Sequence, residues 1–161
     1  MSGLVRIRAS SLPELFDCPA RFEAKHIRGL RLPTSGSAQL GTAVHAGTAL
    51  FDMSRIKAAG LSVDDCAGEV VEAIWKPEND IDWGEMSQRE AEPIALALHR
   101  RYCTQISPRF QFADVEAECH ALDITDLGIR LTGTTDRIYQ DATGEYGIAD
   151  IKTGKAAVGA D

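Results

Sequence analysis

GTTDRIYQDATGEYGIADIKTGK, residues 133–155, is the stretch on which the reading of this chain turns. A glycine opens an alternating run, the polar turn DATGE interrupts it at residues 141–145, and YGIADIK resumes it at residues 146–152. Alternation on both sides of a short Asp/Gly turn is the pattern of two adjacent antiparallel strands. Along an extended strand, Asp150 and Lys152 point to one face and Ile151 to the other. Gly133 allows a kink or bulge just before Asp136, which would re-aim that side chain. Two acids therefore sit on neighbouring strands, with a lysine beside the second.

Upstream, DVEAECHALDI (114–124) and IRLTGTTDRIYQ (129–140) share the period of two, so residues 108–155 read as a three-stranded meander. In its first strand, Glu116, Glu118 and His120 share a face opposite Val115, Ala117 and Cys119. Before Pro108 the pattern is helical. Ser11-Leu12-Pro13-Glu14 has the spacing of a capping box, and Pro19 and Gly29 punctuate the next helix. Arg21, Lys25 and Arg28 fall at i, i+4 and i+7, on one face of that helix. A longer helix over 35–60 carries an apolar stripe of Leu40, Val44 and Phe51, with His45 on a flank beside Gly41 and Thr48. Two further helices are expected over 62–76 and 87–106, opened by SVDD and SQRE. The expected fold is α/β (α+β): one domain, mainly helical over 1–107, with its helices packed on a mixed β-sheet meander.

At 161 residues, 44% hydrophobic and 25% charged, the composition suits one globular domain. No apolar run approaches the ~20 residues that cross a bilayer, and the N-terminus lacks a signal-peptide core, so no membrane partner and a cytoplasmic location are expected. Cys18, Cys66, Cys103 and Cys119 show no CxxC pairing, which points to reduced thiols. The net charge of −7 is unevenly spread: residues 1–31 hold six basic and three acidic side chains, residues 61–120 thirteen acids and five bases. The basic N-terminal end is the one suited to a polyanion.

Hard divalent cations prefer carboxylate oxygens, and Mg²⁺ commonly takes one or two while keeping several waters. Asp136 and Asp150 fit that need. A lysine two residues beyond the second acid could orient or polarise a water, or neutralise charge developing on phosphorus. By itself, an Asp-x-Lys on a strand is usually a surface ion pair, and a helical histidine is more often a packing residue.

Four stretches, in order, resemble the RecB-like branch of the PD-(D/E)XK nucleases, which includes Cas4-type exonucleases. SSLPELFDCPARFEAKHIRGLR resembles its serine-capped helix, Cys-Pro and basic-aromatic helix. LGTAVHAGTALF resembles its Gly-to-His helix, LTGTTDRI its Gly-x-x-Asp-Arg-Ile strand, and IADIKTGK its Asp-x-Lys-Thr-Gly strand. The resemblance implies a restriction-endonuclease-like core and a Mg²⁺- or Mn²⁺-dependent DNA nuclease. It implies metal ligation by His45, Asp136, Asp150 and the Ile151 carbonyl. Asp136, Asp150, Lys152 and, from the first strand, Glu116 would form the catalytic group, with Glu118 the competing first-strand acid. Arg21, Lys25 and Arg28 would contact DNA phosphates.

Relatives continue past the Asp-x-Lys strand into a helix and a further strand, so this chain is expected to lack those elements. It would then self-associate there or be completed by a missing C-terminal portion. Many relatives hold a 4Fe–4S cluster through one N-terminal and three C-terminal cysteines. Only Cys18 stands where such a ligand would, so no cluster is expected. The alternative function is a nuclease-like module that binds DNA or a protein without cutting. KTGK as a nucleotide-binding loop fails because the Gly-x-x-x-x-Gly-Lys frame is absent.

Overall fold

The computed structural model describes residues 3–154. In chain order its elements begin with β1 (Val5–Arg8), α1 (Leu12–Asp17), and α2 (Pro19–Phe22), which continues in a wider turn over Glu23–Ile27. There follow β2 (Thr34–Ser35), α3 (Gly36–Ile56), α4 (Val63–Trp75), β3 (Ile81–Asp82), and α5 (Gln88–Arg101), which continues in a wide turn over Tyr102–Ile106. The last strands are β4 (Gln111–Glu118), β5 (Leu122–Ile124), β6 (Ile129–Thr132), β7 (Thr134–Gln140) and β8 (Tyr146–Ala149). Helices with mixed sheets make this the α/β architecture expected from the sequence.

The chain divides into two compact units. The first takes the residues up to Leu32 together with Ala117–Thr135. Its sheet has the order β1-β6-β5, with β1 parallel and β5 antiparallel to β6. Ile7 is the buried residue of β1. Helix α1 starts at Leu12 with Pro13 in its first turn, but not through the expected capping box. Ser11 already has a helical-region backbone, φ −96° and ψ −3°, whereas an N-cap needs an extended one. Its hydroxyl instead donates to the Arg8 carbonyl at 2.7 Å. Glu14 is thereby released to accept from Lys25 and to meet His26, both at 2.9 Å. Gly29, at φ +71°, takes the left-handed conformation that ends this helical run at little steric cost.

The second unit takes Pro33–Glu116 and the residues from Asp136 onward. Ser62 and Ser87 form complete capping boxes with Asp65 and Glu90, which fixes the starts of α4 and α5. Helices α3, α4 and α5 share a core of Leu40, Ala43, Val44, Val70, Ile74, Ala91 and Ala95. Phe51, expected in the buried stripe, is only half-buried. Beside the apolar face of α3, a second inward face runs through Thr48 and Asp52. Strands β4, β7 and β8 form a sheet in the order β4-β7-β8, with Ile138 opposite Ile148 across the antiparallel β7/β8 pair. Thr34–Ser35 and Ile81–Asp82 make a two-residue parallel bridge.

Three sequence expectations are corrected here. The run 129–140 is not one strand: it breaks at Gly133 into β6 and β7, which belong to different sheets. The run 114–124 likewise splits into β4 and β5, so two three-stranded sheets replace the single meander. Strand β8 ends at Ala149, which leaves Asp150 and Lys152 just beyond it, so strand alternation does not set their directions. The expectation of a missing C-terminal helix and strand concerns chain beyond Gly154 and lies outside the described residues. Among the described residues, no helix is long and apolar enough to cross a membrane.

At Gly47, α3 and α4 approach closely. A Cβ there would press into Val70 Cγ2 and lie 3.0 Å from His99 Nδ1 and 3.2 Å from the Cys66 carbonyl oxygen. Alanine would gain about 1 kcal/mol in helix propensity, but overpacking a rigid contact costs about 1–3 kcal/mol, so the clash wins. Gly47→Ala is therefore expected to melt a few degrees below the parent in a thermal scan, at about 2–4 °C per kcal/mol for a chain of this size. An unchanged or raised melting temperature would show that α4 yields freely.

Glu14 generates a second expectation. Hydrogen bonds from His26 and then Lys25 hold its carboxyl at about 2, below the ordinary 4.5. A depressed carboxyl contributes stability above its unfolded pKa and loses it as pH falls toward the folded value. The melting difference between parent and Glu14→Gln should accordingly hold steady from neutral pH to about 5 and shrink toward pH 2. A difference independent of pH would show that these contacts do not support the fold.

Candidate metal centre

Helix α3 sends His45, Thr48 and Asp52, spaced three and four residues apart, from one side. The His45 Nε2 lies 2.9 Å from the Ile151 carbonyl oxygen. A carbonyl only accepts, so Nε2 carries the proton, and in the neutral ring Nδ1 presents a lone pair. That nitrogen faces Asp136 Oδ2 at 3.7 Å. An acceptor facing a carboxylate across such a gap is an arrangement that a cation completes.

Asp136 stands on β7, half-buried, and its Oδ2 accepts the Ile151 N–H at 2.7 Å. The backbone at Ile151 therefore bonds to both groups, through its N–H to Asp136 and through its carbonyl to His45. Glu116 comes from β4 with φ +52°, in the left-handed region. A residue with a side chain is there at a cost of roughly 1–2 kcal/mol, and such backbones gather at functional sites. Ligand atoms of His45, Glu116 and Asp136 all lie within 4.8 Å of one another. Two carboxylates this close repel, and a divalent cation relieves both. One nitrogen and two carboxylate donors fit a divalent metal.

The left-handed turn at Glu116 also disrupts the alternation expected along this strand. Glu116 reaches the cluster; Glu118, the competing acid, is exposed and is not one of the three clustered groups. Asp150 is not among the three either. Its Oδ2 pairs with Lys152 Nζ at 2.7 Å, with the two side chains 56% and 62% exposed. The hydrogen bond to Asp150 raises the Lys152 pKa above its usual value, so the amine is held as an ammonium.

Beneath the cluster lies a buried polar network. Arg137, next to Asp136, is completely buried, and its Nε donates to the equally buried Asp52 at 2.7 Å. Its Nη1 donates to the Asp136 carbonyl at 2.7 Å and lies 3.5 Å from Glu116 Oε1, while Nη2 donates to Thr48 Oγ1 at 3.1 Å. Asp52 also accepts from Tyr102 Oη at 2.7 Å and from the Ser107 hydroxyl. Burial, with this bond second, pushes the Tyr102 phenol up. Neither Asp52 nor Arg137 stood out in the sequence as a site residue. The available signal was a charged side chain seven residues after His45, on a helix face that otherwise had to be buried.

In the first unit, Arg21 pairs with Asp17 at 2.6 Å and with Glu14 at 3.4 Å, and Lys25 pairs with Glu14 at 2.9 Å. Arg28 turns to Glu23 instead, at 2.8 Å. The wide turn over Glu23–Ile27 separates it from the other two. Of the cysteines, Cys66 and Cys103 are buried, Cys18 is half-buried between α1 and α2, and Cys119 is exposed. Burial pushes the Cys103 thiol up to about 12.

A family profile for the PD-(D/E)XK nuclease superfamily matches residues 6–160. The chain belongs to that superfamily, whose restriction-endonuclease-like fold agrees with the helices and mixed sheets described above. Members are usually metal-dependent nucleases, in keeping with the donor set. No curated protein and no solved structure matches the chain.

Calorimetric titration with Mn²⁺ tests the centre. Asparagine at 136 can still accept the Ile151 N–H but loses the charge, so Asp136→Asn should bind Mn²⁺ at least about tenfold more weakly. Lys152→Ala should bind it as tightly as the parent. Undiminished binding by Asp136→Asn would remove Asp136 from the centre.

Proposed function

We propose that the chain is a Mg²⁺- or Mn²⁺-dependent deoxyribonuclease of the RecB-like branch, acting as an exonuclease in DNA recombination, repair or phage-defence processing in the cytoplasm. The observation that carries this reading is the convergence of His45, Glu116 and Asp136, from a helix and two strands, within 4.8 Å. The ordered motifs around them support the branch, and the family match runs through both compact units, which supports reading them as one nuclease domain.

In this reading His45 Nδ1, Glu116 and Asp136 hold the ion, with Asp150 as a further donor, while the Ile151 carbonyl, expected from the resemblance as a ligand, holds the imidazole through Nε2 instead. The imidazole favours Mn²⁺ over Mg²⁺. A bound ion would supply a hydroxide-like nucleophile from water and neutralise phosphate charge. The water oxygen joins phosphorus, the bond to one sugar oxygen breaks, and that oxygen leaves with a proton. Lys152, kept protonated by Asp150, donates a hydrogen bond to the phosphate as its charge grows. Arg21, Lys25 and Arg28 would exchange exposed acid partners for backbone phosphates, at little cost because exposed ion pairs contribute little.

One observation favours a second reading, a binding module without cleavage: the Asp150 carboxylate is committed to Lys152. End-labelled linear DNA, single- and double-stranded, incubated with each metal decides between them. Cleavage that stops with chelator, is lost in Asp136→Asn, and falls about 10²–10³-fold in Lys152→Ala is expected. Equal cleavage by Asp136→Asn would overturn the assignment. Binding of Mn²⁺ and DNA without cleavage would establish the second reading.

A further inference from the structure

Arg137 is buried without exposure, and so is the acid that meets it. Such a pair is costly to desolvate, and apolar residues of similar volume usually stabilise a core as well or better. Stability alone therefore gives no reason for it. Its geometry gives one.

The guanidinium reaches three elements at once. It holds α3 through Asp52 at 2.7 Å and Thr48 at 3.1 Å, β7 through the Asp136 carbonyl at 2.7 Å, and β4 through Glu116 Oε1 at 3.5 Å. These same three elements supply His45, Asp136 and Glu116. Thr48 and Asp52 are the next residues along the α3 face that carries His45, so fixing them fixes the approach of the imidazole. The Glu116 contact also gives its carboxylate a cationic anchor despite a left-handed backbone. Asp52 is saturated in turn by Tyr102 and Ser107, which keeps its carboxylate, and so the guanidinium plane, in one orientation.

We propose that Arg137, locked by Asp52, is the positioning residue of this centre, setting the spacing of His45, Glu116 and Asp136 before a cation binds. The proposal rests on the reading of those three as the cation site. Lysine could answer the charge of Asp52 but has no planar fork to span three elements.

The test compares Mn²⁺ affinity by calorimetry with thermal melting in the absence of metal. Arg137→Met alone leaves Asp52 buried and unpaired and should lose stability, so the informative protein is Asp52→Leu combined with Arg137→Met. It should melt below the parent by less than Arg137→Met does, because no charge is stranded although Tyr102 and Ser107 lose their acceptor, while binding Mn²⁺ about 10–100-fold more weakly, the range seen when partners behind metal ligands are removed. Half-saturating Mn²⁺ for DNA cleavage should rise by the same factor. Arg137→Lys, which keeps the charge, should also bind at least about tenfold more weakly, and it serves if the double variant does not fold. Parent-like Mn²⁺ affinity in either folded variant would overturn the proposal. Asp136→Asn separates the two readings: if it loses Mn²⁺ while the double variant keeps it, only the positioning role falls, and if it too binds like the parent, the cation site falls with it.

Discussion

Asp52 and Arg137 meet at 2.7 Å with neither side chain exposed, and few contacts in the second unit could be lost at greater cost. Removing one partner of a buried ion pair costs about 3–5 kcal/mol, a large fraction of the 5–15 kcal/mol by which domains are stable. The pair is tolerable because its hydrogen-bonding capacity is nearly filled. Asp52 accepts from Arg137, Tyr102 and Ser107, and Arg137 donates to Asp52, Thr48 and the Asp136 carbonyl. Any other rotation of α3 about its axis would bury these charges unanswered. The pair thus fixes which side of α3 meets the strand that carries Asp136.

The other side of the same helix obeys a different constraint. There the residues are small or apolar, and Gly47 lets α4 come close enough for Val70, Cys66 and His99 to fill the space a Cβ would take. A 21-residue helix with one close-packed apolar side and one hydrogen-bonded polar side has little freedom to slide or turn. His45 lies on the polar side, between the packing that anchors the helix and the sheet that carries the acids. Its position follows from both constraints.

This two-sidedness explains what could be read from the sequence. The capping boxes at Ser62 and Ser87 depend on residues three apart and were legible. His45 and Asp136 stand in ordered motifs, each of which keeps its residue types in a fixed local frame, whereas Glu116 lies outside them and the choice between it and Glu118 stays open in the sequence. What was not legible depends on distant partners. Val5–Arg8 pairs as a strand with β6, far along the chain. Ser11 is a local exception, since the Ser-x-x-Glu spacing does not reveal that its backbone is helical and not the extended one a cap needs. A kink at Gly133 is legible in the sequence, but the change of sheet there is not, because it depends on which strands lie alongside. The left-handed Glu116 was invisible for a stronger reason: local sterics oppose that backbone for a residue with a side chain.

The distribution of charge separates what holds the centre from what is open to solvent. Arg137 is wholly buried and its bonds run to protein groups, so it is unsuited to meeting a large anion. Lys152 is 62% exposed, hydrogen-bonded to a single exposed acid, and held in its charged form by that bond. An exposed ion pair contributes little to stability, so exchanging Asp150 for a phosphate oxygen would cost the fold little, whereas any exchange at Arg137 would strand Asp52. Under the proposed function these two cations, fifteen residues apart in sequence, are therefore not interchangeable. One can only shape the centre, and the other is free to act on what enters it.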